Sequence, residues 1–318
     1  MFRTGSCPAG PSVESLRLGG GVALTVDVEE WYHNCWVPEY VHPARRPALP
    51  EELDRLLPQL LETLDRQGAR ATFFVLGEVA QKLPRRVLEI LGAGHEVASH
   101  GELHRRADEA TVASFGRELA AAKARLEDLT GNEVVGYRAP EWSLRRLSNP
   151  RLRAVAEIGF TYDSSLTAAL GAGSASNPRS PIRCRWGDGL ELLELPPFVW
   201  GGGLALPAGG WCGRLAPPAR LSGEVREAAA AGRMPVLVVH PWELVDRGCP
   251  GLLTGLARFF HDAGRFGFGQ RFERLLATLP ATLPLSASLA DARACLDAEE
   301  PDERAGARVA LQTAVATE

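Results

Sequence analysis

Lysine is almost missing from this sequence: only Lys82 and Lys123 occur, so nearly all positive charge is arginine. That pattern is one of coding bias rather than of a cationic surface. With a formal net charge of −4, nothing in the composition points to nucleic acid or an anionic membrane as a partner. Paired cysteines are missing too. The six cysteines stand at positions 7, 35, 184, 212, 249 and 295, and none forms a C-x-x-C pair, which argues against a thiolate zinc site or a redox dithiol. Cysteines scattered in this way predict a reduced, cytoplasmic protein. No stretch reaches the ~18 uninterrupted apolar residues of a membrane span, and the opening MFRTGSCPAGPSVESLRLGGG holds no apolar core for a signal peptide. There is no G-x-S-x-G elbow, no G-x-x-x-x-G-K-[ST] phosphate loop and no H-E-x-x-H pair. The glycines at 19–21 precede the first apolar run instead of following it, so they are not a dinucleotide fingerprint.

What is present is ordinary in bulk and informative in order. Hydrophobic residues make up 45% and charged residues 23% of 318, values of a globular protein able to bury a large core. Short apolar runs at 22–28, 71–77, 95–100, 134–140, 190–196 and 235–240 read as strands. Amphipathic stretches at 51–67, 78–91, 109–129, 150–158 and 250–264 read as helices, with Pro84 marking a boundary inside the second. This alternation predicts one α/β domain with a parallel sheet, over 20–282, with a helical extension from about residue 246. Residues 1–19, rich in Gly, Pro and Ser, read as a flexible leader, and 297–318 as a disordered tail. The Gly/Pro/Ser-rich stretches 171–189 and 201–214 read as long loops facing a substrate.

Polar residues end these strands. Asp27, Glu29 and Glu30 close the first run, His100 the third, Arg138 the fourth and His240 the last. In a parallel α/β fold the carboxyl ends of the strands open on one face, so four distant segments deliver ionisable groups to one rim. His100-Gly-Glu-Leu-His104 spaces two imidazoles four apart, which on a helical turn lets both reach one ion. Taken alone, such a pair is more often two surface histidines, and His240 more often a structural histidine. The acids of TVDVEEW supply a third ligand and a base. By strand alternation Asp27 and Glu29 share a face that Glu30 does not. Two histidines and a carboxylate for a metal, a second carboxylate as base, a distant histidine as acid and one arginine suit metal-assisted hydrolysis.

In order and type, these segments resemble the polysaccharide deacetylases, also called the NodB-homology domain or carbohydrate esterase family 4. TVDVEEW, ASHGELH, YRAPEW, TYDSSL (161–166) and VVHPWE follow the family's five motifs over about residues 22–245. The resemblance implies a distorted (β/α)7 barrel in a single domain, with zinc as its usual divalent metal. Carried over, Asp27 is the base, Glu29, His100 and His104 the metal ligands, Arg138 the tether of the base and His240 the acid. Trp142 and Leu237, with Tyr137, Pro140 and Trp31, would contact substrate. The family's first motif has adjacent aspartates followed by glycine, whereas here the acids read D-V-E-E. That departure leaves open whether Glu29, Glu30 or Asp27 completes the metal site. The D-V-E and HPWE patterns look like a subfamily found beside exopolysaccharide biosynthesis and exosortase systems. The implied partner is therefore an N-acetylated glycan or its precursor. Two other readings stand beside it: the same machinery acting on a cyclic imide, ureide or other non-sugar amide, and an inactive glycan-binding protein.

Overall fold

The computed structural model describes residues 10–33, 51–245 and 253–289. The expected tail at 297–318, the first nine residues of the leader and the start of the extension near 246 lie outside the described residues.

The chain enters the fold earlier than its composition suggests. Strand β1, Ser12–Ser15, lies within the stretch read as a leader, and Leu16 and Leu18 behind it are buried. The Gly/Pro/Ser content there masks the S-L-R-L alternation that turns both leucines inward. Next come β2 (Val22–Val28), α1 (Leu53–Arg66), β3 (Thr72–Val75), α2 (Gly77–Lys82), α3 (Pro84–Gly92) and β4 (Glu96–Ser99). They are followed by α4 (Val112–Thr130), β5 (Gly136–Tyr137), α5 (Pro150–Glu157), β6 (Tyr162–Asp163), β7 (Ile182–Arg185) and β8 (Glu191–Glu194). The chain continues through β9 (Val199–Trp200), β10 (Leu206–Pro207), α6 (Gly210–Leu215), α7 (Pro218–Ala230), β11 (Val236–Val239), α8 (Gly255–Asp262), α9 (Phe268–Leu276) and β12 (Thr282–Leu283).

The strands are apolar because both faces of the sheet are covered. Every residue of VALTVDV is buried, as are all four of β11. Helix α1 covers the sheet with Leu53, Leu56, Leu57, Leu60 and Leu64, a stripe at helical spacing. Pro84 begins α3, where its missing N–H costs nothing. Thr111 caps α4 by accepting from Ser114 N at 3.1 Å, and Gly131 ends it in the left-handed region at φ 68°.

Among the described residues, β11, β2, β3, β4, β5, β6 and β8 pair in parallel in that order. The two ends of this path approach through one parallel bridge between Pro197 and Val236, where Phe198 N donates to Val236 O at 2.8 Å. This path has the seven parallel strands expected of a distorted barrel, its ends joined only by that bridge beyond β8, and the short β12 pairs in parallel with β2 beside it. Antiparallel β7 and β1 extend the path beyond β8. Strand β7 lies in a segment read as loop; four residues between Ser-Pro and a Gly-rich turn are too few for periodicity to show.

Candidate metal centre and active site

Strand ends bring the charged residues together as the topology requires. Asp27 sits on β2 and Glu29 one residue past its end, where Glu29 N donates back to Asp27 O at 3.1 Å. His100 follows β4, Arg138 follows β5 and His240 follows β11. Asp27, Glu29, His100, His104 and His240 line one cavity of about 430 Å³.

His100 and His104 do not lie on a helical turn. Gly101 at φ 84° and His104 at φ 56° reverse a loop, which brings the two ring centroids to 5.2 Å. A left-handed φ at a residue other than glycine stores strain that surrounding packing must hold, a feature concentrated at functional sites. His100 Nδ1 lies 2.9 Å from Arg138 O, which turns its Nε2 towards the cavity. Glu29 Oε2 lies 2.6 Å from His104 Nε2 and 3.8 Å from His100 Nε2. Ligand atoms of these three buried residues all fall within 4.8 Å of one another. Two imidazoles and one carboxylate, with room left on the cavity side, fit a divalent ion in an open, catalytic type of site.

The other two acids have different partners. Asp27 Oδ1 accepts from Arg138 Nη1 at 2.7 Å. Glu30 points away, accepting from Glu52 N at 2.8 Å and Leu53 N at 2.9 Å at the start of α1. Burial pushes its carboxyl up to about 7 against those bonds. Strand β2 ends at Val28, so the turn after it, rather than strand alternation, directs Glu30 to the N-terminus of α1, where it has a structural task.

Residues 49–162 match the family model described as polysaccharide deacetylase. Over that stretch the chain is similar to the polysaccharide deacetylases. The peptidoglycan deacetylase of Helicobacter pylori is 32% identical over 138 residues, which are 43% of this chain and 43% of that protein. The chitooligosaccharide deacetylase of Sinorhizobium fredii is 29% identical over 119 residues, 37% of this chain and 48% of its own. This chain thus spans less than half the length of these curated relatives. A Mycobacterium smegmatis crystal structure named for the polysaccharide deacetylases aligns with a TM-score of 0.57 and 25% identity, over 91% of this chain and 95% of that one. The PuuE allantoinase shares the fold at a TM-score of 0.60 and 16% identity, over 87% of this chain and 92% of its own.

Beside the cavity, Arg138 is fully buried and each of its three guanidinium nitrogens donates a hydrogen bond. Besides Asp27 it bonds Thr25 Oγ1 at 2.8 Å, Ser164 O at 3.0 Å and Ser164 Oγ at 2.9 Å, and its guanidinium carbon stands 4.1 Å from the centre of the Phe74 ring. His240 Nδ1 lies 2.8 Å from Glu243 Oε2, and its Nε2 faces Glu29 Oε1 at 3.6 Å and Asp27 Oδ2 at 3.8 Å. Burial alone would lower the imidazole, but Glu243, Glu29 and Asp27 lift it to about 9. Glu243 is itself held down to about 2: burial works against this, but His240 and the ion-paired Arg214 outweigh it.

Of the expected substrate contacts, Trp142 lines the cavity. Tyr137, Pro140, Leu237 and Trp31 are buried elsewhere. Tyr137 precedes Arg138 on the strand and so faces the opposite side, edge-on to Phe115 at 6.0 Å. Leu237 is interior to β11, its carbonyl accepting from Thr25 Oγ1 at 2.7 Å. Pro140 O accepts from Ser143 Oγ at 2.7 Å, and Trp31 packs on Tyr32 with centroids 5.6 Å apart. The cavity walls instead include Arg106, Glu141, Arg145, Leu170 and Trp211. Gly171, Ala172, Pro207, Gly209 and Gly210 come from the two stretches read as substrate-facing loops. Trp211 is legible only as the one aromatic in a glycine-rich run. Cys212 also lines the wall, but burial pushes its thiol up to about 11, which leaves no thiolate for nucleophilic chemistry at neutral pH.

Proposed function

We propose that this protein is a metal-dependent deacetylase that hydrolyses the N-acetyl group of an N-acetylhexosamine, releasing acetate and a free amine. The observation that carries the reading is a division of labour on one cavity wall. Asp27 is held by Arg138, Glu29 is grouped with His100 and His104, and His240 faces both acids from the end of the neighbouring parallel strand β11. Glu29, His100 and His104 would hold a divalent ion, with zinc our choice, which would supply Lewis acidity and lower the pKa of water. Asp27 then accepts the proton of the attacking water, whose oxygen bonds to the acetyl carbon. His240 Nε2 gives its proton to the departing nitrogen as the carbon–nitrogen bond breaks. Trp142 and Trp211 on the cavity wall offer apolar faces to a sugar ring.

We place the substrate among exopolysaccharides or their precursors and the reaction in the cytoplasm. The D-V-E and H-P-W-E patterns support the first, and the free, buried Cys184 and Cys212 support the second. Among the described residues no helix is long and apolar enough to cross a membrane. The test is acetate release from N-acetylglucosamine oligomers by the purified chain, with added zinc and after chelation. Release that requires the metal is expected, and no release from any N-acetylated glycan tried would sink the proposal.

The pH profile carries a second expectation. His240 must be protonated to act as acid, and its raised pKa of about 9 keeps it so through neutral pH. Glu243→Gln removes a carboxylate that holds the proton, so the folded pKa drops back towards 6.5. The basic limb of kcat against pH should move down by about one unit, read from acetate release between pH 6 and 10. An unmoved limb would show that His240 is not the acid.

A further inference from the structure

Beside the proposed metal centre stands a side chain that the reaction above does not use. Trp242 is 2% exposed, the largest of the fully buried side chains. Its indole N–H donates to Glu29 Oε1 at 3.4 Å. The same oxygen lies 3.6 Å from His240 Nε2, while Glu29 Oε2 is the one beside the ligand imidazoles. Its ring stacks on His240 at 5.5 Å and 27°, and on His261 at 4.8 Å and 11°. Arg214 and Arg265 stand 5.4 Å and 5.5 Å from the ring centre, and Arg265 Nη2 donates to Trp242 O at 3.0 Å. The indole is thus packed by His240, His261, Arg214 and Arg265 and held along its backbone.

An indole offers one donor and no acceptor. Directed at a carboxylate, it can be satisfied only by an oxygen lone pair, and a metal cannot replace it. We propose that Trp242 is a positioning residue for both halves of the site. Its N–H engages Glu29 Oε1 so that Glu29 presents Oε2 alone to a divalent ion, and its ring sets the plane of His240. The proposal rests on the metal-dependent reading above. It also gives a physical reason why an acid two residues after Asp27 can serve here. The longer, more flexible glutamate has more rotamers to choose from than an aspartate, and Trp242 removes that freedom.

The test is metal affinity. Trp242→Phe keeps an aromatic ring for the stack and deletes the N–H. Dissociation constants for Zn2+ and Co2+ should rise about 10-fold or more, the usual cost of losing a partner that orients a ligand. The melting temperature of the metal-free protein should change little. Trp186→Phe, at the β7–β8 turn, controls for loss of any buried tryptophan and should leave both constants as in wild type. A second measurement needs no Trp242 variant. In protein labelled with 15N-tryptophan, Glu29→Gln should shift the Trp242 indole N–H signal without metal present. An unchanged affinity in Trp242→Phe, or an indole signal indifferent to Glu29→Gln, overturns the inference while leaving the metal centre standing. A wild-type protein that binds neither metal overturns both.

Discussion

Asp27→Asn is expected to lower kcat for acetate release by about 10²–10⁴-fold, the usual contribution of a positioned general base, and to leave Zn2+ affinity within about threefold of wild type. The substitution keeps the shape of the side chain and its bond from Arg138 Nη1, but an amide oxygen does not take a proton from water. His100→Ala should behave differently, because it removes a nitrogen aimed at the ion. Metal affinity should then fall together with activity, by about 10²-fold or more. The pair of variants separates roles that the D-V-E-E spacing left open. If Asp27→Asn loses metal as His100→Ala does, Asp27 is a ligand. If it keeps more than about a tenth of wild-type kcat, it is not the base. Both quantities come from one preparation, with affinity by competition with a chromophoric chelator and turnover by enzymatic acetate assay.

Much of this arrangement was legible in the sequence because parallel strands write their burial plainly. VALTVDV and PVLVVH are near-continuous apolar runs, and a polar residue at the end of such a run has few places to go except the carboxyl rim. Alternation set Glu30 apart from Asp27 and Glu29 only if the strand ran on through it; β2 stops at Val28, and the turn that follows gives Glu30 to the N-terminus of α1. What alternation was not applied to, it would have corrected: Tyr137 next to Arg138 had to face the other way. The four-residue spacing of His100 and His104 was read as helical, yet Gly101 and a left-handed His104 bring the rings together in a loop. Spacing reports sequence distance, not the backbone that spans it. The cavity walls were legible only as long Gly/Pro-rich stretches. Arg106 reaches the site from a loop and Trp211 from the first turn of the short helix α6, and neither segment is long enough for a period to record it. Glu243 was a different kind of omission. It stands three residues after His240 and returns to both its backbone N and its ring, a capping arrangement visible in H-P-W-E.

Arg138→Met should destabilise the fold by about 3–5 kcal/mol, the cost of breaking a buried ion pair by removing one partner. That lowers the melting temperature by on the order of 10 °C for a domain of this size. Methionine fills part of the volume but donates nothing. Asp27 would lose its 2.7 Å charged partner, and Ser164 O and Oγ and Thr25 Oγ1 a donor each, all in a fully buried setting. The loss reaches further, because the buried Asp163 and Glu194 feel the same guanidinium. Burial raises both carboxyls, and Arg138 is among the groups that offset it. Arg138→Lys should recover only a small part of the stability, since an ammonium cannot span Asp27, Thr25 and Ser164 with one planar fork. Thermal unfolding followed by circular dichroism on Arg138→Met, Arg138→Lys and the Asp27→Asn/Arg138→Met double variant measures these terms separately. If Arg138 acts chiefly through Asp27, the double variant should be less destabilised than the sum of the singles by about 1–3 kcal/mol. Strict additivity would instead place its contribution in the Ser164 and Thr25 contacts, and a melting temperature within about 2 °C of wild type for Arg138→Met would contradict a structural role altogether.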